Sequence, residues 1–154
     1  MSNYGSQEYE YEWPDDGNEQ EGWGSDNQED AENNPRIEIE NTFYEADGNM
    51  KDRPNDAIAQ FEKSIELEEN LGDDIIHRFK AMENIVVLSA RLHLYDKMQA
   101  NHSKILKIIS KVARNDVSDA INNILDAVAK HLTNNIEEQK KMYSMTLDIL
   151  KTSN

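Results

Sequence analysis

The sequence contains no cysteine, which excludes disulfide bonds, thiolate metal sites and a cysteine nucleophile. It also lacks an apolar run of about 18 residues, so we expect no membrane-spanning helix and no membrane partner. The first residues, MSNYGSQEYEYEW, have neither a basic region nor an apolar core, so we expect no secretory signal. The six glycines and three prolines lie mainly before Arg36 and at one turn. The absence of cysteine fits a reducing compartment.

Basic residues are missing from the first 35 positions, which hold 11 acidic residues and no lysine or arginine. The rest of the chain is nearly balanced, with 20 acidic and 16 basic residues, although the total net charge is -15. Such an acidic segment would be repelled by phosphates, so nucleic acid is not an expected partner. The sequence therefore predicts an acidic tail over residues 1–35 and a helical domain over residues 36–154.

The tail has few aliphatic residues with which to build a core, and we expect it to be disordered. Its aromatic residues nevertheless lie among the acidic ones; they are Tyr4, Tyr9, Tyr11, Trp13 and Trp23. Two interpretations stay open. The tail either keeps the protein soluble, or it docks on a basic surface of a partner and becomes ordered there.

From Arg36 onward, apolar residues recur every three or four positions, which indicates amphipathic helices. We predict helices over residues 37–47, 54–70, 73–92 and 95–113, a fifth from the break at 114–116 to residue 132, and a sixth over 136–151. Pro54 suits the first turn of the second helix, and Asp116 or Ser118 is a candidate N-cap of the fifth. For the first helix, the predicted face comprises Ile37, Asn41, Tyr44 and Gly48.

The predicted inward positions of the later helices are also spaced by three and four residues. They are Ala57, Ile58, Phe61, Ile65, Leu67, Ile76, Phe79, Met82, Val86, Leu88, Leu92, Met98, Ile105, Ile108, Ile109, Val112, Ile121, Ile124, Leu125, Val128, Leu132, Met142, Met145, Ile149 and Leu150. Short links between six helices predict an all-α, TPR-like solenoid of about three antiparallel helix pairs. No polar capping repeat follows the last helix, so we expect the chain to be the start of a longer protein or a truncated form.

No catalytic constellation is present. The four histidines, His77, His93, His102 and His131, have no metal-binding spacing, and each is expected to be exposed or half-buried. Basic residues concentrate in and just after the third and fourth helices: Lys80, Arg91, Lys97, Lys104, Lys107, Lys111 and Arg114. The spacing of Lys104, Lys107 and Lys111 predicts one shared face. That face is either a solvated surface or a groove for an acidic protein segment or polyphosphate.

Four sequence blocks, in order, carry a resemblance to a known family: IEIENTFYEA, DAIAQFEKSIELE, RFKAMENI and ISKVARN with AINNILD. They resemble the opening of the subunit-two family of the COP-nine signalosome over roughly residues 37–151. Lys80 in RFKA and Arg114 in VARN match basic positions of that family. Glu83 and Val87 stand where the family carries further lysines.

The resemblance implies a non-catalytic scaffold that assembles with other signalosome subunits in the cytoplasm and nucleus and binds a cullin–RING ubiquitin ligase. Another subunit would remove the ubiquitin-like modifier of that ligase (deneddylation). It implies no cofactor, but an inositol polyphosphate as a bridging ligand. The candidate contact residues are Lys80, Arg91, Lys107, Lys111 and Arg114. The PCI winged-helix domain, which joins members of the family to the complex, is absent from these residues.

Two alternatives stay open: a subunit of the proteasome lid, and a free-standing repeat adaptor that holds a peptide. The lid subunit shares the helical repeats, but the block formed by Glu40, Asn41 and Tyr44 fits it less well.

Overall fold

The computed structural model describes residues 34–153, and every regular element in that range is helical. The helices are α1 (Pro35–Asn49), α2 (Pro54–Leu71), α3 (Arg78–Leu92), α4 (Tyr95–Ile108), α5 (Arg114–His131) and α6 (Ile136–Ser153), with a short 3-10 helix (Ile109–Lys111) between α4 and α5. The all-α prediction is confirmed, and the architecture is consistent with a helical-repeat solenoid. The predicted acidic tail lies outside the described residues, apart from its last two positions.

Helix α1 begins beside Asn34, whose Oδ1 accepts a 2.9 Å hydrogen bond from the backbone N–H of Arg36. This contact satisfies one of the free N–H groups that every helix start leaves.

The buried face of α1 is not the predicted one. Ile39, Phe43 and Ala46 are buried, whereas Tyr44, predicted to point inward, is 57% exposed. The sequence contains two series of the same helical spacing, and the prediction chose the one that includes the polar Asn41. Phe43 meets Phe61 of α2 edge to face, with ring centroids 5.5 Å apart, and this contact helps fix which series is buried.

Helix α2 follows the prediction closely. Pro54 occupies the first turn, where its missing N–H costs nothing, and Ala57, Ile58, Phe61 and Ile65 are buried. Leu67 is only half-buried.

Helix α3 begins at Arg78 and not at the predicted residues 73–74. A buried carboxylate of α2 binds the backbone just before and at this start. Glu68 is 3% exposed, and its two oxygens accept hydrogen bonds from the backbone N–H groups of Ile76 (3.2 Å), His77 (2.8 Å) and Arg78 (3.0 Å). The carboxylate thus satisfies N–H groups at the helix start and opposes the positive end of the helix dipole. Ile76 therefore lies before α3 and is 53% exposed, although it was predicted to point inward.

Helix α3 is the centre of the fold. It packs against α2, α4 and α5, and most of its surface is buried, including Phe79, Met82, Ile85 and Leu88. Its buried residues include the polar side chains of Arg78, Glu83, Asn84 and Ser89 as well as the apolar ones.

The boundary between α4 and α5 also corrects the prediction. Helix α4 ends at Ile108, not at residue 113, and the chain tightens into the 3-10 helix before extending at Val112 (φ -119°, ψ 149°). Helix α5 then begins at Arg114 with no side-chain cap. Asp116 lies in its first turn and Ser118 lies inside the helix, so neither is the N-cap.

Candidate functional site

Two of the five candidate residues, Lys80 and Lys111, line the same cleft. Lys80 lies in the first turn of α3, and Lys111 ends the 3-10 helix. The cleft has a volume of about 430 Å³. Its other lining residues are Ile75, Ile76, Phe79, Glu83, Val112, Ala113, Asp116 and Asp119. The bend after α4 therefore brings together two lysines that lie 31 positions apart in the sequence.

The ammonium group of Lys80 is already paired. Its Nζ lies 3.2 and 3.1 Å from the two carboxylate oxygens of Glu83, one turn further along α3. Glu83 is buried, and its Oε2 also accepts a 2.9 Å hydrogen bond from Nδ2 of Asn123 on α5. A buried carboxylate needs such partners, so Lys80 has a structural role besides any contact with a ligand.

The cleft does not have a net positive charge. Against Lys80 and Lys111 stand three carboxylates, those of Glu83, Asp116 and Asp119. An anion entering the cleft would be attracted by two lysines and repelled by three carboxylates. This charge balance favours a partner with groups of both signs over a polyphosphate at this position.

Arg114 and Lys107 lie outside that cleft. Arg114 lines a separate groove of about 690 Å³ with Val117, Ile121 and Leu150, among others. Lys107 is exposed on α4 and lines neither cavity. Within residues 34–153, neither side chain forms an ion pair, so their charges are available to a partner.

The predicted shared face of Lys104, Lys107 and Lys111 is interrupted, because only Lys104 and Lys107 lie in α4 and Lys111 lies in the 3-10 helix. Lys104 lines a groove beside Lys97, and Lys111 lines the cleft of Lys80. The spacing argument assumed a continuous α-helix, but α4 ends at Ile108 and the tighter 3-10 turn changes the direction of Lys111.

Arg91 has a structural role at the other end of α3. Its two terminal guanidinium nitrogens donate 3.1 Å hydrogen bonds to the backbone carbonyls of Met50 and Lys51, in the turn after α1. The planar guanidinium suits this double contact, and the turn gains partners for two carbonyl groups. Lys80 and Arg91 are thus separated along α3 rather than joined in one basic surface.

His102 corrects the expectation that every histidine is exposed or half-buried. The side chain is fully buried, and its Nε2 lies 2.7 Å from Oγ1 of Thr146 on α6. Burial lowers the pKa of His102 from 6.5 to about 4, so the ring is neutral near pH 7. The signal was present in the sequence, because His102 lies four residues after Met98 and three before Ile105, on the apolar stripe of α4.

Two further findings concern residues 34–153 only. No three of their histidine, aspartate and glutamate side chains are arranged to hold a metal ion. None of their helices is both long and apolar enough to cross a membrane.

The chain is similar to several curated proteins with the same name, COP9 signalosome complex subunit 2. The Drosophila melanogaster protein is 31% identical over 132 residues, which cover 85% of this chain and 29% of that protein. The Dictyostelium discoideum protein is 32% identical over 120 residues, 77% of this chain and 26% of that protein. The Caenorhabditis elegans protein is 30% identical over 133 residues, 85% of this chain and 26% of that protein.

No family model and no solved structure matches the chain. The chain spans less than a third of the length of the three relatives described above. The resemblance found in the sequence blocks is nevertheless confirmed: over most of its length, this chain is similar to COP9 signalosome complex subunit 2 of several organisms.

Proposed function

We propose that this chain is a scaffold component of a signalosome-type complex, without catalytic activity of its own, in the cytoplasm and nucleus. The proposal rests mainly on sequence similarity. The part of this chain that matches COP9 signalosome complex subunit 2 of Drosophila melanogaster covers 85% of its residues. The stacked helices support it, because helical layers form extended surfaces that bind other proteins. On this proposal, the partners include other signalosome subunits.

We further propose that the chain contacts a cullin–RING ubiquitin ligase, so that another subunit can remove the ubiquitin-like modifier of the ligase. Lys107, Lys111 and Arg114 are the favoured contact residues, because they are exposed and have no ion-pair partner among the described residues. Lys80 is a weaker candidate, since Glu83 neutralises it. Arg91 is the weakest, since its guanidinium binds the turn after α1.

The contact at the Lys80–Lys111 cleft is proposed to be with protein rather than with inositol polyphosphate. Its three carboxylates would repel a dense polyanion, whereas a protein surface can present both charges. A bridging polyphosphate fits better at the groove of Arg114, whose lining includes no carboxylate.

Affinity purification of the tagged full chain from its source cells, followed by mass spectrometry at low and moderate salt, tests the scaffold proposal. Recovery of signalosome subunits and cullins is expected. Loss of the cullins alone at moderate salt would assign that contact to exposed charges, because salt screens them. Recovery of proteasome-lid subunits, or of neither set, would contradict the proposal.

Charge reversal tests the contact residues. Lys111→Glu and Arg114→Glu should weaken cullin recovery while leaving helical content unchanged, because both side chains are exposed. Lys151→Glu is a matched control, since Lys151 is an exposed lysine on α6 that lines neither cavity. Equal cullin recovery by all three variants would exclude Lys111 and Arg114 from the contact.

A further inference from the structure

A groove at the start of α4 has an apolar floor of Leu94, Tyr95 and Ala100 and is also lined by side chains of both charges. It has a volume of about 780 Å³ and runs beside Leu94 and Tyr95. Leu94 is 37% exposed, which leaves an apolar side chain open to solvent in the groove. The remaining lining residues are Glu62, His93, Asp96, Lys97, Ala100, Asn101 and Lys104.

The groove has two lysines and two carboxylates, but only one of its lysines is paired. Lys97 Nζ lies 2.5 Å from Oε2 of Glu62, so this pair is locally neutral. Lys104 is exposed and forms no ion pair with any described residue. Asp96 lies in the first turn of α4, where the helix dipole already opposes its charge.

One end of the groove adjoins a second group of basic side chains. Helices α3 and α5 pack together, and their last turns carry Arg91, Lys130 and His131, with His93 just after α3. Partial burial and the positive charges of Lys130, Arg91 and His93 lower the pKa of His131. These groups therefore act on one another, and His93 belongs both to this basic group and to the groove. We call the groove and this basic group together the α4 surface.

We propose that the α4 surface binds an acidic peptide segment of a partner protein, with an apolar or aromatic side chain placed against Leu94 and its carboxylates facing Lys104 and Lys130. Apolar contact and spaced positive charges together match a segment in which acidic and apolar residues alternate. A polyphosphate would leave the apolar floor uncovered.

This inference goes beyond the proposed function. The α4 surface does not include Lys80, Lys107, Lys111 or Arg114, on which the cullin contact depends. Either proposal can therefore fail while the other stands.

The test measures binding of a short fluorescent peptide of repeated Asp-Glu-Leu-Tyr units to the full chain by fluorescence anisotropy. The double variant Lys104→Glu/Lys130→Glu should weaken binding roughly tenfold, because both attractive charges become repulsive. Leu94→Ser should also weaken binding, by loss of apolar contact. Serine is favoured at the position before a helix, so this variant should keep α4 intact. Lys140→Glu/Lys151→Glu changes the net charge equally on α6 and should bind as the unmodified chain does.

Arg91 and His93 stay unchanged in these variants, because Arg91 holds the turn after α1 and His93 has a positive φ of 61°. Circular dichroism checks that each variant is folded. Equal binding by the α4 and α6 double variants would overturn the proposal. So would the absence of peptide binding, or tighter binding of a short single-stranded RNA or tripolyphosphate at the same residues.

Discussion

The buried carboxylate of Glu68 accepts a 3.0 Å hydrogen bond from the backbone N–H of Arg78, the first residue of α3. The same carboxylate also binds the N–H groups of Ile76 and His77, so one α2 side chain receives three backbone donors of the α2–α3 linker. The guanidinium of Arg78 lies 3.8 Å from Glu68 and donates a hydrogen bond to the carbonyl of Asp73 (3.1 Å). The central helix therefore starts where Glu68 holds it.

Replacement of Glu68 should destabilise the fold strongly. Glu68→Ala leaves three backbone N–H groups and the Arg78 guanidinium with fewer partners, and we expect a loss of about 3 kcal/mol of unfolding free energy. Urea denaturation followed by circular dichroism measures it. Glu69→Ala is the matched control, because Glu69 is the exposed neighbour on α2. If the two variants lost equal stability, the carboxylate of Glu68 would not be what holds α3.

Arg91 should contribute to stability through the turn after α1. Arg91→Ala removes the donors of two backbone carbonyls, and Arg91→Lys can replace only part of the double contact. We expect losses of about 1–2 kcal/mol and about 1 kcal/mol, because the partners are exposed and water can replace the donors. Thermal denaturation measures both. Arg53→Ala, at an exposed arginine of the same turn, should change stability little, and an equal effect there would argue against a specific role of Arg91.

Burial of His102 should make the fold lose stability as the pH falls. Its pKa is about 4 in the folded chain and near 6.5 when the chain unfolds, so between these values only the unfolded chain binds the proton. The stabilisation is complete above pH 6.5 and is lost progressively toward pH 4. At about pH 5, the titration of His102 alone should lower the free energy of unfolding by about 2 kcal/mol relative to neutral pH.

The hydrogen bonds around His102 explain why the folded chain resists protonation of this ring. Thr146 donates its hydroxyl proton to the carbonyl of Met142 (2.9 Å), so it accepts the proton on Nε2 of His102. Nδ1 is buried and has no partner among the described residues, so a second proton would be buried without an acceptor. Urea denaturation at several pH values should give a shallower pH dependence for His102→Gln. Equal slopes for the unmodified chain and His102→Gln would contradict this account.

Acidic residues should limit polyanion binding at the Lys80–Lys111 cleft. Asp116→Asn/Asp119→Asn removes two of its three carboxylates, and the affinity for tripolyphosphate should rise severalfold, roughly the effect of two exposed charges. Isothermal titration calorimetry measures the affinity. Asp126→Asn/Asp148→Asn makes the same change in net charge at exposed positions outside the cleft and should raise it less. Equal gains in affinity for both variants would mean that the net charge of the chain, and not the cleft, determines tripolyphosphate binding.

The sequence predicted the helices best where one apolar series had no competitor. In α2, Ala57, Ile58, Phe61 and Ile65 form the only strong series, and all four are buried. In α1, Ile37, Asn41 and Tyr44 competed with Ile39, Phe43 and Ala46 at the same spacing. Periodicity cannot choose between two such faces, because the choice depends on which residues a neighbouring helix contacts.

The candidate site was predictable only in part. Residue type alone identified Lys80, Lys107, Lys111 and Arg114 as exposed basic residues of the middle helices. Their division between a mixed-charge cleft, a separate groove and open surface depends on where α4 ends, and the 3-10 turn after Ile108 was not predicted. The contact of Arg91 with Met50 joins residues 41 positions apart, which no local spacing indicates.

The all-helical class, most of the apolar core and the similarity to signalosome subunit 2 follow from the sequence, because helical periodicity and residue identity are local properties of the chain. Only the packing of the helices shows that Glu68 holds the start of α3, that Glu83 is buried and bonded by Asn123, and that the ring of His102 contacts Thr146. Those outcomes depend on burial. A carboxylate or an imidazole behaves as an ordinary surface group until packing removes water, and only then must it find a partner or change its pKa.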